Sequence, residues 1–229
     1  MESLVAYAPL LARGAVTTIA LAVLGFALAT VFGGLGAAGR LGGGRVVQGA
    51  VVVYTTVVRG VPDLVMMLLI YFGGQRLVNL AVGALGMERV DVSPFIAGVL
   101  ALGFVYGAYL TETFRGAYLS VPRAQIEAAM ALGLRGMRLQ RLVVLPQLTR
   151  MALPGTANVW QVLVKATALV SVIGLQDLVG LADAAGKTTR EPFVFFSAVL
   201  LVYLAITWVS TQLFAAAERR TALVGRDAH

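Results

Sequence analysis

The sequence contains no cysteine, and its only histidine, His229, is the last of its 229 residues. The absence of cysteine excludes disulfides, thiolate metal sites and cysteine nucleophiles. Charged residues make up only 13% of the chain, where a soluble domain has about a quarter. Hydrophobic residues account for 59%, and the mean hydropathy is +0.87. Much of the surface must therefore face something other than water, and we expect a single integral membrane domain over residues 1–229.

Long apolar stretches indicate how the chain crosses the bilayer. A helix needs about 20 residues to cross a hydrocarbon core of about 30 Å, and it satisfies its own backbone hydrogen bonds there. Because the N-terminal residues MESLVAYAPL contain no basic residue, we expect no cleaved signal peptide. Five stretches predict an all-α protein with five transmembrane helices: about Ala15 to Leu35, Val46 to Phe72, Pro94 to Phe114, Leu153 to Gly174 and Phe193 to Ala217.

Basic residues predict the orientation of these crossings, because lysine and arginine are enriched in cytoplasmic segments. With the N-terminus outside, the inner segments hold Arg40, Arg45, Arg115, Arg123, Arg135, Arg138, Arg141, Arg150, Arg219, Arg220 and Arg226. The outer segments then hold only Arg13, Arg76, Arg89, Lys187 and Arg190. This asymmetry predicts an outer N-terminus and a cytoplasmic C-terminus. It also accounts for the net charge of +7 without a nucleic acid partner.

Two glycine-rich segments resemble nucleotide-binding motifs but lack their context. GLGAAG, residues 34–39, has the G-x-G-x-x-G spacing, yet it follows an apolar span and no βαβ unit surrounds it. GLADAAGKT, residues 180–188, has one residue too many between its glycines for a P-loop, and it lies in an outer segment. We therefore expect no nucleotide site in this chain, so that any ATP must bind to another subunit.

The segment EAAMALGLRGMRLQRLVVLP, residues 127–146, lies within the longest inner segment, residues 115–150. Residues 125–132 favour a helix, and Gly133 offers a position where that helix can stop. The segment is basic and half-apolar in a chain that is otherwise built for lipid. A protein partner and the anionic surface of the inner leaflet would both fit such a helix.

Individual residues of this helix favour a protein partner. Small Ala128 and Ala129 would let a partner backbone approach closely. Met130 and Leu134 would supply apolar contacts, and Glu127 would fix the register at the rim of the interface.

The spacing of these residues resembles the signature of a known family. It matches the cytoplasmic loop pattern E-A-A-x3-G-x9-I-x-L-P of the membrane subunits of binding-protein-dependent ABC importers, with valine in place of isoleucine. The matching residues are Glu127, Ala128, Ala129, Gly133, Val143, Leu145 and Pro146. The resemblance implies a type I importer fold in which this loop forms a coupling helix that docks on a separate ATPase.

The same resemblance implies the partners and the location of the chain. It implies a pair of membrane subunits, a dimer of ATP-binding subunits and a periplasmic binding protein, assembled at the bacterial inner membrane. ATP and Mg would bind to the partner ATPase. We therefore expect no cofactor and no enzymatic activity on this chain itself.

Longer segments resemble the polar amino acid branch of this family. They are RGVPDLVMMLLIYFG, GAYLTETFRGAYLSVPRAQIEAA and LPGTANVWQVLVKATALVSVIGL, and with the first span they cover nearly the whole chain. The resemblance implies uptake of the basic amino acids histidine, lysine, arginine and ornithine, with a similar but different second membrane subunit. Another polar amino acid or an opine is the nearest alternative. A self-contained channel or ion-coupled carrier would leave the pattern of residues 127–146 unexplained.

A break in the second apolar stretch is the first candidate for the substrate path. Pro62 lacks an amide hydrogen, so together with Gly60 it should interrupt the helix. Discontinuous helices of this kind often form transporter binding sites. Asp63 follows the break, and an acid inside a span is costly enough to suggest a function, such as pairing with a cationic substrate. The alternatives are that Asp63 caps the next helix or pairs with Arg59.

Four further residues could lie along the path. Glu112 could face the substrate, although an ion pair with Arg115 three residues later is the simpler expectation. Lys165 could bind a substrate carboxylate, or it could neutralise Glu112 or Asp63 across the bundle. Thr167 and Ser171 are four residues apart, which predicts one shared helix face. With no histidine in a span, no cysteine and no cluster of acids, we expect neither catalysis nor a metal site.

Overall fold

The computed structural model describes residues 2–221, so Arg226 and His229 lie outside the described residues. The described residues form helices and short turns, and they contain no strand. The helices are α1 (Glu2–Gly42), α2 (Arg45–Gly60), α3 (Asp63–Ala84), α4 (Pro94–Leu119), α5 (Arg123–Ala131), α6 (Gly136–Leu139), α7 (Leu145–Ala166), α8 (Leu178–Thr189) and α9 (Pro192–Thr221). A π-helical turn, Gln140–Val144, joins α6 to α7, and a 3₁₀ helix, Thr167–Ile173, follows α7.

Five helical stretches within residues 2–221 are long and apolar enough to cross a membrane. They are Ser3–Gly42, Asp63–Ala84, Pro94–Leu119, Gly136–Ile173 and Pro192–Thr221. The predicted all-α class and the number of crossings are confirmed. The expected bounds are too short for the first and fourth stretches, because hydropathy alone does not register helix that continues beyond the most apolar window.

The second predicted span, Val46 to Phe72, is interrupted at Pro62 as the sequence predicts, but its two parts do not form one crossing helix. The chain breaks at Val61 and Pro62, so that α2 is a separate amphipathic helix and α3 supplies the crossing. The physical reason is the proline: it drives the preceding residue into extended geometry, and Val61 has φ −107° and ψ 140°. The apolar run is thus shared by two helices rather than one.

Close packing of α1 on α4 forms the centre of the bundle. Cβ atoms built on glycines of α1 would meet α4 side chains, at Leu102 from Gly25 and at Leu110 from Gly33. Because the contacts advance in the same direction along both helices, α1 and α4 are parallel. Two helices that cross the membrane in the same direction need an odd number of crossings between them, and α3 is the one candidate crossing between α1 and α4 among the described residues. Glycine thus permits a backbone approach that larger residues would prevent.

Two apolar clusters surround this contact. The larger one contains fully buried Leu21, Tyr106 and Leu163 from α1, α4 and α7. The smaller one joins the N-terminal part of α1 to α8 and α9 through Leu178 and Phe195. Large apolar side chains on α3 and α9 remain exposed, as expected for surfaces that face lipid or partner chains.

The two glycine-rich segments lie in regular helix. GLGAAG, residues 34–39, is part of α1, where Gly36 packs against Thr111 of α4. GLADAAGKT, residues 180–188, lies in α8, so this outer segment is a helix and neither segment is a phosphate-binding loop.

Candidate functional site

The break between α2 and α3 places two charged residues at helix ends. Arg59 lies in the last turn of α2, and Asp63 is the first residue of α3. The negative end of a helix dipole favours a cation and the positive end favours an anion, so each charge is stabilised where it lies. Of the two residues predicted to make the break, Pro62 suffices. Gly60 has no unusual backbone angle, and a Cβ atom there would meet nothing within 4 Å.

Asp63 faces α4, not its own helix end. The hydroxyl of Tyr106 donates a hydrogen bond to Asp63 Oδ2 at 2.7 Å, and Tyr106 is only 1% exposed. Both sequence-based alternatives are wrong: α3 has no side-chain cap, and Asp63 forms no ion pair with Arg59 among the described residues. Tyr106 was not identified from the sequence, because a contact between residues 43 positions apart leaves no local signal.

Arg59 also faces α4, through an aromatic ring. Its guanidinium carbon lies 5.3 Å from the centroid of the Tyr109 ring, within the range of a cation–π contact. The rings of Tyr109 and Tyr106 are stacked with centroids 5.6 Å apart and an interplanar angle of 28°. Arg59, Asp63, Tyr106 and Tyr109 therefore form one connected cluster, here called the break cluster.

The depth of the break cluster makes its charges unusual. Tyr106 lies at the middle of α4, which spans residues 94–119. At that depth a charge is expensive and commonly marks a substrate or ion pathway. The arrangement offers a carboxylate, a guanidinium and two aromatic rings beside an interrupted helix. These groups can bind a zwitterion that carries an additional cationic group.

The other predicted path residues lie elsewhere. Glu112 and Arg115 form an ion pair on α4 with 2.8 Å between Oε2 and Nε, as the i, i+3 spacing predicts. Lys165 lies on the edge of a cavity of about 560 Å³ between α7, α8 and α9, together with Tyr203 and Thr207. Within the described residues it pairs with no acid, so the predicted neutralisation of Glu112 or Asp63 is wrong.

Thr167 and Ser171 do not share a face. They belong to a 3₁₀ helix, which has three residues per turn, so positions four apart point in different directions. The Thr167 hydroxyl is fully buried and lies 3.1 Å from the Tyr203 hydroxyl. The Ser171 hydroxyl donates to the backbone carbonyl of Ala168. The prediction of a common polar path assumed α-helical periodicity and is wrong in that respect.

A second cavity is less suited to an amino acid than the break cluster is. It has a volume of about 740 Å³ between the ends of α1 and α4 and the start of α7. The described residues that line it include Thr30 and Gln140 but no charged side chain. A zwitterion needs charged or strongly polar partners when it leaves water. The break cluster is therefore the better candidate for a substrate site.

The signature segment forms a compact unit at one end of the bundle. Helix α5 ends at Ala131, and Gly133 follows with φ +84°, the left-handed geometry that terminates helices. Glu127 and Ala128 are exposed, in line with their expected availability to a partner. Ala129 is instead buried against Val121, so its predicted contact with a partner is wrong.

Apolar residues of the same segment divide between the interior and the surface. Leu134 is half-buried and packs against the small cluster that includes Leu139 and Val144. Met130 is 42% exposed, and Leu132 and other apolar neighbours are still more exposed. An exposed apolar patch beside Glu127 is typical of a protein-binding surface.

Leu145 and Pro146 begin α7 directly after the π-helical turn. Proline is tolerated in the first turn of a helix because its missing amide hydrogen has no partner there. The end of the signature therefore lies at a junction between helix types, inside the helical stretch Gly136–Ile173 that forms the fourth candidate crossing.

A family model described as "Binding-protein-dependent transport system inner membrane component" matches residues 30–223. The chain is 47% identical over 208 residues to the histidine/lysine/arginine/ornithine transport system permease protein HisQ of Salmonella typhimurium, covering 91% of each chain. It is 43% identical to the octopine transport system permease protein OccQ of Agrobacterium tumefaciens, covering 91% of this chain and 89% of that protein.

A solved structure shares the whole fold. The crystal structure of an amino acid ABC transporter with histidines has a chain that superposes with a TM-score of 0.79 at 32% identity. The match covers 96% of this chain and 97% of that chain. The five-helix arrangement is therefore that of a type I ABC importer membrane subunit.

Proposed function

Because the chain belongs to the binding-protein-dependent transport system inner membrane components, we propose that it provides half of the membrane pathway of an importer for basic amino acids. In this assembly a periplasmic binding protein delivers the substrate at the outer surface. A dimer of ATP-binding subunits drives transport from the cytoplasmic side. The N-terminus lies outside and the C-terminus inside, as the distribution of arginine favours.

The break cluster is the observation that carries the substrate assignment. Asp63 accepts a hydrogen bond from Tyr106, which lies midway along α4, and it has no cationic partner among the described residues. A substrate that supplies the missing positive charge would gain an ion pair in a medium of low dielectric constant. Lysine, arginine, ornithine and protonated histidine carry that charge, while glutamine does not.

Relatives support the same substrate class. HisQ is by its name a permease for histidine, lysine, arginine and ornithine, and it is 47% identical to this chain. OccQ is by its name an octopine permease, which makes an opine the second candidate. Both relatives are named as permeases, in keeping with a transport component that leaves ATP hydrolysis to a separate subunit.

The signature segment provides the connection to that ATPase in our proposal. Helix α5 presents Glu127 and Ala128 on an exposed surface beside Met130. This surface would dock in a groove of the ATP-binding subunit and transmit its closure to α4 and α7, which flank the segment. Residues 115–150 then act as the coupling loop of a single domain. We further propose that the second membrane subunit is a similar but different chain.

The test uses the complete transporter in proteoliposomes, with the second membrane subunit, the ATPase and the binding protein. ATPase stimulation is measured with arginine, lysine, histidine, glutamine and octopine added separately. We expect the basic amino acids to stimulate and glutamine to fail. Stimulation by octopine alone would favour the opine, and stimulation by glutamine alone would refute the substrate class while retaining the importer.

An Asp63→Asn variant isolates the charge at the break cluster. Asparagine keeps an oxygen that can accept the Tyr106 hydrogen bond but removes the negative charge. We expect a loss of about tenfold or more in arginine uptake, because a desolvated ion pair is worth several times an exposed one. Asp91→Asn, at an exposed position in the turn before α4, is the control. An equal loss of neutral amino acid uptake would mean that Asp63 is structural.

A further inference from the structure

We propose that Arg59 is a resident occupant of the substrate's cation site, and that it becomes the ligand for the substrate carboxylate once it is displaced. The inference rests on the proposed function, because it assumes that Asp63 and Tyr109 receive the cationic group of a basic amino acid. It assigns to Arg59 a role in specificity that the helix break and the resemblance do not assign.

The first argument is where the guanidinium lies. Arg59 extends from the end of α2 and places its guanidinium carbon 5.3 Å from the centre of the Tyr109 ring. That ring is stacked on Tyr106, whose hydroxyl holds the Asp63 carboxylate. An arginine side chain of this protein thus occupies the aromatic part of the site that an arginine substrate would use.

The second argument is how weakly Arg59 is held. Among the described residues it makes no ion pair and no side-chain hydrogen bond, and its side chain is exposed. A guanidinium has five donors, and a ring face satisfies none of them in the way a carboxylate does. Within residues 2–221, Asp63 likewise forms no ion pair. The break cluster therefore contains a cation and an anion on neighbouring helix ends that have not paired with each other.

The third argument is that Arg59 can move without disturbing the bundle. The neighbouring Gly60 and Pro62 are exposed, and a Cβ atom built on Gly60 would meet nothing within 4 Å. The Arg59 side chain has four rotatable bonds and the residue is itself exposed, so the side chain can swing away from the Tyr109 ring. No buried apolar contact of α2 has to break, since the buried residues of this helix are Thr55 and Val58.

The chemistry of the exchange is balanced in charge. A basic amino acid brings one cationic group to Tyr109 and Asp63, and the Arg59 guanidinium leaves the same ring. The displaced guanidinium matches the planar carboxylate of the substrate and can bind it with two parallel hydrogen bonds. A ligand that lacks the carboxylate must displace Arg59 without this compensation. Arg59 thereby selects amino acids over simple amines and guanidines.

The test compares two ligands that differ only in the carboxylate: arginine and agmatine, its decarboxylated form. Equilibrium binding is measured on the purified membrane and ATPase complex without the binding protein, so that its selectivity does not intervene. In Arg59→Gln, agmatine should bind about threefold more tightly because its competitor is removed. Arginine should bind about tenfold less tightly because its carboxylate loses a charged partner. Opposite changes for the two ligands are the expected signature.

Arg59→Lys is the second variant, which keeps the positive charge but lacks the planar set of N–H donors of a guanidinium. It should leave agmatine binding close to that of the unmodified protein and weaken arginine binding less than Arg59→Gln does. The proposed role of Arg59 is refuted if, in both variants, the affinities for arginine and agmatine change in the same direction. It is equally refuted if neither affinity changes in either variant. Elution of each variant as the intact complex verifies folding.

Asp63→Asn separates this inference from the proposed function. If Asp63→Asn weakens both ligands while the Arg59 variants show no opposite changes, only the inference fails. If the unmodified complex binds neither ligand, or Asp63→Asn leaves both unaffected, the break cluster is not the cation site and the proposed substrate assignment fails with it.

Discussion

Asp177 offers a quantitative prediction because its surroundings oppose its charge. It caps the N-terminus of α8, where Oδ1 accepts a hydrogen bond of 2.9 Å from the Gly180 amide. The residue is fully buried, and Oδ2 has no hydrogen-bond partner among the described residues. Burial raises the pKa of Asp177 from its usual value of 3.8 to about 6, and the bonds from backbone amides offset this only in part. The folded protein therefore binds this proton more tightly than the unfolded chain does.

The sign of the pH dependence follows from this difference. Between about pH 4 and pH 6 the folded state holds the proton and the unfolded state does not, so the free energy of unfolding falls as the pH rises through that window. Above the folded pKa both states are ionised, and the penalty stays constant. A difference of about two pH units at about 1.4 kcal/mol each gives a penalty of about 3 kcal/mol at neutral pH.

Asp177→Asn tests this reasoning. Asparagine is uncharged at every pH, and its side-chain oxygen can still accept the bond from Gly180. We expect the variant to gain up to about 3 kcal/mol at pH 8 and nothing at pH 4, since the unmodified carboxyl is then protonated. The assay is thermal unfolding of the detergent-solubilised complex at several pH values, with the difference between the two proteins plotted against pH.

A matched control and a clear contradiction complete the experiment. Asp183 lies on the same helix but pairs with Lys187 at an exposed position, so Asp183→Asn should show no such pH-dependent gain. If Asp177→Asn were less stable than the unmodified protein at pH 8 by the same amount as at pH 4, the buried carboxylate would not be destabilising. The burial argument would then be refuted.

Two further predictions concern packing and coupling. Gly33→Ala should destabilise the complex by about 1–3 kcal/mol in thermal unfolding, because the added Cβ would lie 2.5 Å from Leu110 Cβ. The control is Gly34→Ala, which should be neutral because its added Cβ would meet nothing within 4 Å. Equal effects of the two substitutions would contradict the close approach of α1 to α4. Glu127→Lys should reduce transport in proteoliposomes while ATP hydrolysis and membrane insertion persist. The reason is that the substitution reverses the exposed charge on α5 at the proposed ATPase interface. Unchanged uptake would exclude a role for Glu127 in docking on the ATPase.

Local signals in the sequence were sufficient for part of the fold. Hydropathy indicates five crossings, because each crossing needs a long apolar run whatever its neighbours are. Pro62 indicates the helix break, and Gly133 indicates the end of α5, because both effects arise from the covalent structure of one residue. The orientation of the termini and the docking role of Glu127 remain predictions.

The rest of the candidate site depends on contacts between distant residues. Asp63 was identified as a charge in a span, but its partner Tyr106 comes from another helix. Thr167 and Ser171 were assigned to one face because the change from α to 3₁₀ geometry has no local marker. Asp177 does have a local signal, as an acid directly before an apolar helix is a common cap. Its burial, however, depends on the packing of α1, α8 and α9.

The π-helical turn at Gln140–Val144 has a consequence for the length of the signature segment. Helix is continuous from Gly136 through the π-helical turn into α7, so removing one residue between Gly136 and Val143 would turn the chain before it by about 100° about the axis of α7. Glu127 would keep its chemistry but point to a different side of the molecule. The number of residues in this interval therefore determines in which direction, relative to α7, the exposed surface of α5 points, independently of which residues fill the interval. A fixed count of nine in the family pattern is what such a constraint on direction requires.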